Sequence, residues 1–174
     1  MAILPIRKLG DPVLRTPAVD VQSFDEFLRR LRENMFETMY DAPGVGLAAP
    51  QVGVALRFFV YDDGQGGKGA VANPRVVVTE GEQVDEEGCL SVPGLYYETP
   101  RALHVLVEGQ DVQGTPLTVE GTGLLARIFQ HETDHLDGLL YLDRLSPEDR
   151  RRALTLLREQ ELGASRARRL PRPE

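Results

Sequence analysis

"QHETDHLDG", residues 130–138, places Glu132 directly after His131 and a second histidine, His135, four positions after the first. The 174-residue chain has only three histidines, so two of them meet within one helical turn. Upstream, Leu124 and Ile128 share a face with both histidines, Thr122 can cap the segment and Gly138 can stop it, which predicts a helix. The histidines thus continue an inward-facing apolar stripe, and buried imidazole nitrogens need partners. A metal ion supplies one directly. In the H-E-x-x-H arrangement two imidazoles one turn apart hold a single cation. The cation lowers the pKa of its water toward about 7, and the glutamate takes the proton as that water attacks a carbonyl. The chemistry implied is hydrolysis of an acyl bond.

A catalytic site of this type needs a third protein ligand and one open position. No histidine follows in "LDGLLYLDRL", so the third ligand must come from upstream: His104, a carboxylate or Cys89. His104 sits in the alternating stretch "ALHVLVEG" and reads as a residue on the polar face of a strand. Cys89, the only cysteine, lies in "EEGCLSVPG" before a Pro-Gly turn, where the backbone can bend sharply. A lone cysteine forms no internal disulfide and points to a reducing compartment, with packing, metal binding or catalysis as its role.

Around this helix the chain reads as α+β. "SFDEFLRRLRENMFETMYDAPG" carries Phe24, Leu28, Leu31, Met35 and Met39 at helical spacing, with Ser23 and Glu26 as a capping box and Pro43-Gly44 as the stop. A Gly-rich loop, "APGVGLAAPQVG", precedes the buried-strand run "ALRFFVYDD". "RVVVTEGEQV", "ALHVLVEGQDVQG" and "PLTVEG" read as short antiparallel strands. A last helix begins at Ser146-Pro147 and is expected to end at Gly163. The prediction is a single domain over residues 1–163, with small antiparallel sheets packed around the central H-E-x-x-H helix between an N-terminal and a C-terminal helix. Residues 164–174 read as a basic, disordered tail.

The net charge of −7 is unevenly spread: residues 1–143 carry 11 basic and 22 acidic side chains, residues 144–174 carry 9 and 5. A basic end on an acidic body suits an anionic partner such as ribosomal RNA, or simply a solvated helix. No window approaches eighteen apolar residues and no leader is recognisable, so the chain is expected to be soluble and cytoplasmic, with neither membrane nor specific DNA as a partner.

Three separated motifs, "GVGLAAPQ" (Gly44–Gln51), "EGCLS" (Glu87–Ser91) and "QHETDH" (Gln130–His135), together resemble those of the peptide deformylase family. The likeness extends from "RKLGDPVLR" to about Leu145. It implies one divalent metal, Fe(II) in the cell with Zn, Ni or Co in purified protein, held by Cys89, His131 and His135 with water in the fourth position. Glu132 is then the general acid/base, while the Gln51 amide and the Leu90 N–H face the oxyanion. The implied substrate is the N-formylmethionyl end of a nascent polypeptide, hydrolysed to formate. Gly46 would crowd out acyl groups larger than formyl, and Val45, Leu124 and Ile128 would line a slot for the methionine side chain. Asp134 and Arg101 are expected to pair behind the site.

Three other readings compete. A zinc endopeptidase would take its third ligand from a downstream His or Glu; no histidine follows, and "EGCLS" and "GLAAPQ" count against it. A catalytically silent module that recognises formylated chain ends should have lost Glu132, Gln51 or a ligand, and all are present. A structural metal site needs four protein ligands, which would require His104.

Overall fold

The computed structural model describes residues 2–169, and the side chains of residues 2–163. Helix α1 spans Glu26–Asp41. Its cap is Asp25, whose carboxylate accepts from the Leu28 N–H at 3.3 Å, and not the Ser23–Glu26 box expected from sequence. Asp caps as well as Ser, and starting at Glu26 keeps that acid in the positive first turn, where it pairs with Arg29 and Arg30. The stripe Leu28, Leu31, Met35 and Met39 is buried as the spacing predicted.

Five antiparallel strands form the main sheet, in the order β1 (Gly46–Ala48), β2 (Phe58–Asp62), β3 (Lys68–Glu80), β6 (His104–Gln110) and β7 (Pro116–Thr122). Between β3 and β6 in sequence, β4 (Gln83–Cys89) and β5 (Val92–Arg101) pair with each other as a separate hairpin. The Gly-rich stretch read as a loop contains β1 and a 3-10 turn, Ala49–Val52. β1 registers Leu47 against Val60, and three residues are too few to show a period.

β2 explains why its sequence is apolar throughout. Phe58 and Val60 pack under α1 with Met35, Met39 and Leu47. Phe59 and Tyr61 point to the opposite face, against Phe129 of helix α2 (Gly123–Leu136). With both faces covered, the polar alternation of a half-exposed strand disappears. Each large side chain in such a core contributes about 1.5–3 kcal/mol by burial.

α2 ends as predicted at Gly138 (φ 74°). The Leu139 N–H reaches the Asp134 carbonyl at 2.9 Å and the Gly138 N–H reaches that of His135 at 3.2 Å, a Schellman termination. Thr122 stands at the N-cap without a side-chain bond. A third cluster, with Val92, Leu95, Tyr141, Leu142 and Ala153, fastens the hairpin to the 3-10 turn Tyr141–Arg144 and to α3, Pro147–Arg169. Ser146 caps α3 through the Asp149 N–H at 3.1 Å. Gly163 lies inside α3 and does not end it; an interior glycine costs only about 1 kcal/mol relative to alanine, too little to break the helix by itself. Of the segment expected to be a disordered tail, residues 164–169 are helical and residues 170–174 lie outside the described residues. No helix among the described residues is long and apolar enough to cross a membrane.

Candidate active site

α2 turns His131 and His135 toward the β4–β5 hairpin, whose tip brings in Cys89, and sets Glu132 against Gly46 of β1. One ligand atom from each of Cys89, His131 and His135 lies within 4.8 Å of the others, a cluster that could hold a metal ion. Cys89 Sγ is 3.3 Å from His135 Nε2. His131 uses its other nitrogen elsewhere: Nδ1 lies 2.6 Å from Glu87 Oε1, which leaves Nε2 for the cluster. Burial opposes a charge on His131, yet Cys89 and Glu87 hold its titration well above the usual imidazole range. Burial and the neighbouring His131 push His135 well below that range. One thiol and two imidazoles within reach of a single point fit a divalent cation of the zinc or iron type.

Behind the cluster lies a buried ion network. Glu87 Oε1 and Oε2 accept from Arg101 Nη2 and Nε at 2.6 and 3.0 Å, and Arg127 Nη1 adds a bond of 2.7 Å to Oε2. Burial would raise the Glu87 carboxyl, but His131 and Arg101 hold it well below the usual carboxylate range. The pair expected from sequence is present, with Arg101 Nη1 at 2.6 Å from Asp134 Oδ2. Arg144 completes it at 2.5 Å from Oδ1. Glu87 is the site residue that sequence reasoning missed, although it stands two positions before Cys89 on the same strand.

Glu132 is only 3% exposed, and its Oε2 has no hydrogen-bond partner among the described residues. Burial raises its pKa to about 7, with His131 pulling it down and Glu87 adding to the rise. Gly46 of β1 faces this carboxyl: a Cβ there would overlap Glu132 Oε1 and come within 2.9 Å of its Cδ and 3.0 Å of Ile128 Cγ2. The Gln51 side chain is fixed at both ends. Its Oε1 accepts from the Ala48 N–H at 2.9 Å, while its Nε2 points to Ser91 Oγ at 3.2 Å and Cys89 Sγ at 3.6 Å. The Leu90 N–H takes no acceptor among the described residues.

A cleft of about 470 Å³ opens over this cluster and collects Val45, Gly46, Gln51, Cys89, Leu90, Leu124, Ile128, His131 and Glu132. His135 belongs to the cluster but is buried and does not line the cleft. Ile128 is buried, while Val45 and Leu124, 43% and 44% exposed, stand at the mouth. His104 takes no part: as expected it is a strand residue, 2.7 Å from Glu120 and outside the cluster.

The polypeptide deformylase family model matches residues 3–151. This chain belongs to that family. A peptide deformylase of Acidothermus cellulolyticus is 55% identical over 161 residues, covering 92% of this chain and 89% of that protein. The crystal structure of the Legionella pneumophila deformylase superposes with a TM-score of 0.87 at 45% identity, covering 97% of this chain and 99% of that one. For the Thermus thermophilus deformylase the TM-score is 0.85 at 47% identity, over 91% and 95% of the two chains. The deformylase fold of these relatives has the α+β architecture described above. Deformylases are metal-dependent, and the Cys89, His131 and His135 cluster is a group that could hold such an ion.

Proposed function

We propose that Cys89, His131 and His135 hold one divalent ion, Fe(II) in the cell, and that the residues around it hydrolyse the formyl group from N-formylmethionyl chains. The activity itself is that of the family: the chain is a hydrolase acting on the formylated ends of newly made polypeptides. The observation that carries the site assignment is the meeting of three ligand atoms within 4.8 Å beside the unpartnered Glu132 carboxyl. A divalent ion held by these three residues would supply Lewis acidity, which would polarise a carbonyl and acidify a water toward neutrality.

Glu132, buried beside the cluster with Oε2 unpartnered, is placed to take a proton from the attacking water on its carboxylate and return it to the leaving amine nitrogen. The Gln51 Nε2–H and the Leu90 N–H donate to the oxygen that gains charge during attack. The Ala48 N–H already fixes the orientation of the Gln51 amide, so that donation requires only that Nε2 exchange its long contact with Cys89 Sγ for the oxyanion. Gly46 brings main chain against Glu132 and leaves room for the hydrogen of a formyl group where acetyl carries a methyl. Ile128 lines the floor of the methionine slot, with Val45 and Leu124 at its entrance. We further propose a cytoplasmic location and a weak contact of the basic α3 end with the ribosome.

The test is formate release from formyl-Met-Ala-Ser by anaerobically prepared, Fe(II)-loaded protein, compared with Glu132→Ala. The expected result is release by the first and loss in the second with metal still bound. Metal-loaded wild-type protein that binds the peptide without releasing formate would refute the assignment.

A further inference from the structure

The two groups assigned to the oxyanion come from distant parts of the chain. Gln51 lies on the 3-10 turn Ala49–Val52, and Leu90 on the two-residue turn joining β4 to β5. A third segment ties these turns together. Residues 7–9 run across both, with the Arg7 N–H on the Gln51 carbonyl at 2.7 Å and the Leu9 N–H on the Ser91 carbonyl at 2.9 Å. Between them, Lys8 extends its ammonium to the Leu90 carbonyl, with Nζ and O 2.6 Å apart across 82 positions of sequence. Lys8 is one of only two lysines in the chain, and it lines the cleft.

The Leu90 turn is held at its base by the Cys89–Val92 pair and at Ser91 by Leu9, so its remaining freedom lies in the Leu90 peptide groups. A charge-assisted bond to the Leu90 carbonyl removes that freedom, being shorter and about twice as strong as a neutral one. Holding the carbonyl on Lys8 fixes the Leu90–Ser91 peptide, and with the Cys89–Val92 pair on the other side it limits the rotation about the Leu90 Cα that would swing the Leu90 N–H, a donor with no acceptor among the described residues. Gly44 leaves space for this arrangement: a Cβ there would come within 2.9 Å of Leu90 Cδ1.

We infer that Lys8 is a positioning residue for the reaction: its ammonium anchors the Leu90 carbonyl and thereby aims the Leu90 N–H at the developing oxyanion. This rests on the deformylase reading above. Removing one oxyanion donor outright lowers kcat by about 100- to 1,000-fold. Letting such a donor wander, with Leu9 and Val92 still holding the turn, should lower it about tenfold.

The experiment compares Fe(II)-loaded wild-type, Lys8→Met and Lys8→Arg proteins on formyl-Met-Ala-Ser and on its C-terminal amide, with bound metal measured in each. Lys8 is exposed, so both variants should fold. The expected result is a kcat lowered about tenfold in Lys8→Met for both peptides, KM within about twofold, full metal content, and recovery to within about threefold in Lys8→Arg. An unchanged kcat in Lys8→Met overturns the inference. So does a loss of bound metal, which would place Lys8 in support of the ligands. An effect confined to KM of the free-acid peptide also overturns it, because Lys8 would then contact the substrate carboxylate. Failure of the wild-type protein to release formate defeats the deformylase reading itself and is seen before any variant is compared.

Discussion

Glu132 is a buried carboxyl with no partner for Oε2 among the described residues, and metal-stripped protein should register that as a stability that falls with rising pH. Burial raises its pKa from 4.5 to about 7. A group whose pKa is raised by folding leaves stability intact below its unfolded pKa and removes it as pH rises through the folded one. The whole interval is worth about 3 kcal/mol at about 1.4 kcal/mol per pH unit. Glu132→Gln keeps the shape and cannot ionise. Its advantage over wild type should therefore grow from about 1 kcal/mol near pH 5 to about 3 kcal/mol near pH 8, beyond any constant offset. Urea unfolding of chelator-treated proteins at the two pH values measures this, with each ΔG taken from the midpoint and slope. Adding the divalent ion should shrink the difference at pH 8, because a cation beside the carboxylate offsets its burial. An advantage independent of pH in the stripped proteins would refute the reasoning, since Glu132 would then ionise as freely folded as unfolded.

Gly46→Ala puts a methyl group into the Glu132 carboxyl, and displacing that group should lower kcat about 100-fold with metal content unchanged, as read by formate release and metal analysis. Arg101→Ala leaves Glu87 and Asp134 short of a shared partner in a buried setting, so it should lower unfolding stability by about 3–5 kcal/mol and weaken metal retention. Unchanged metal content and turnover would remove the supporting role of that ion pair. Deleting residues 164–174 should weaken co-sedimentation with ribosomes in a salt-dependent way while leaving turnover of a free formyl-peptide unchanged; equal co-sedimentation would leave α3 a solvated helix.

The features legible in the sequence are those carried by local spacing. The α2 helix could be read because its histidines, Leu124 and Ile128 repeat at helical intervals and because Gly138 supplies the one left-handed residue its ending needs. The α1 stripe was legible for the same reason, but its start was not: Ser23 and Asp25 are both competent caps, and only packing chooses between them. β1 was hidden because its three residues become a strand only by pairing with β2. Gly163 misled because a helix end depends on the sum of its flanking residues, and one glycine is a weak term in it.

Glu87 shows where local reading must stop, and why the site nevertheless forms. Its partners His131, Arg101 and Arg127 lie 44, 14 and 40 positions away on two other elements, α2 and β5, so no short sequence window contains the arrangement. Yet Glu87 stands two residues before Cys89 on β4, and α2 carries both His131 and Asp134. The bonds that satisfy the buried carboxylates therefore also set the register of the hairpin against the helix. A slip of β4 by one residue would turn Glu87 away from Arg101 and His131 and carry Cys89 away from His135 in the same movement. Isolated buried ions are costly, and this network is stable only with all its members in place. That all-or-none condition gives a thiol and two imidazoles from opposite parts of the chain a single way to meet.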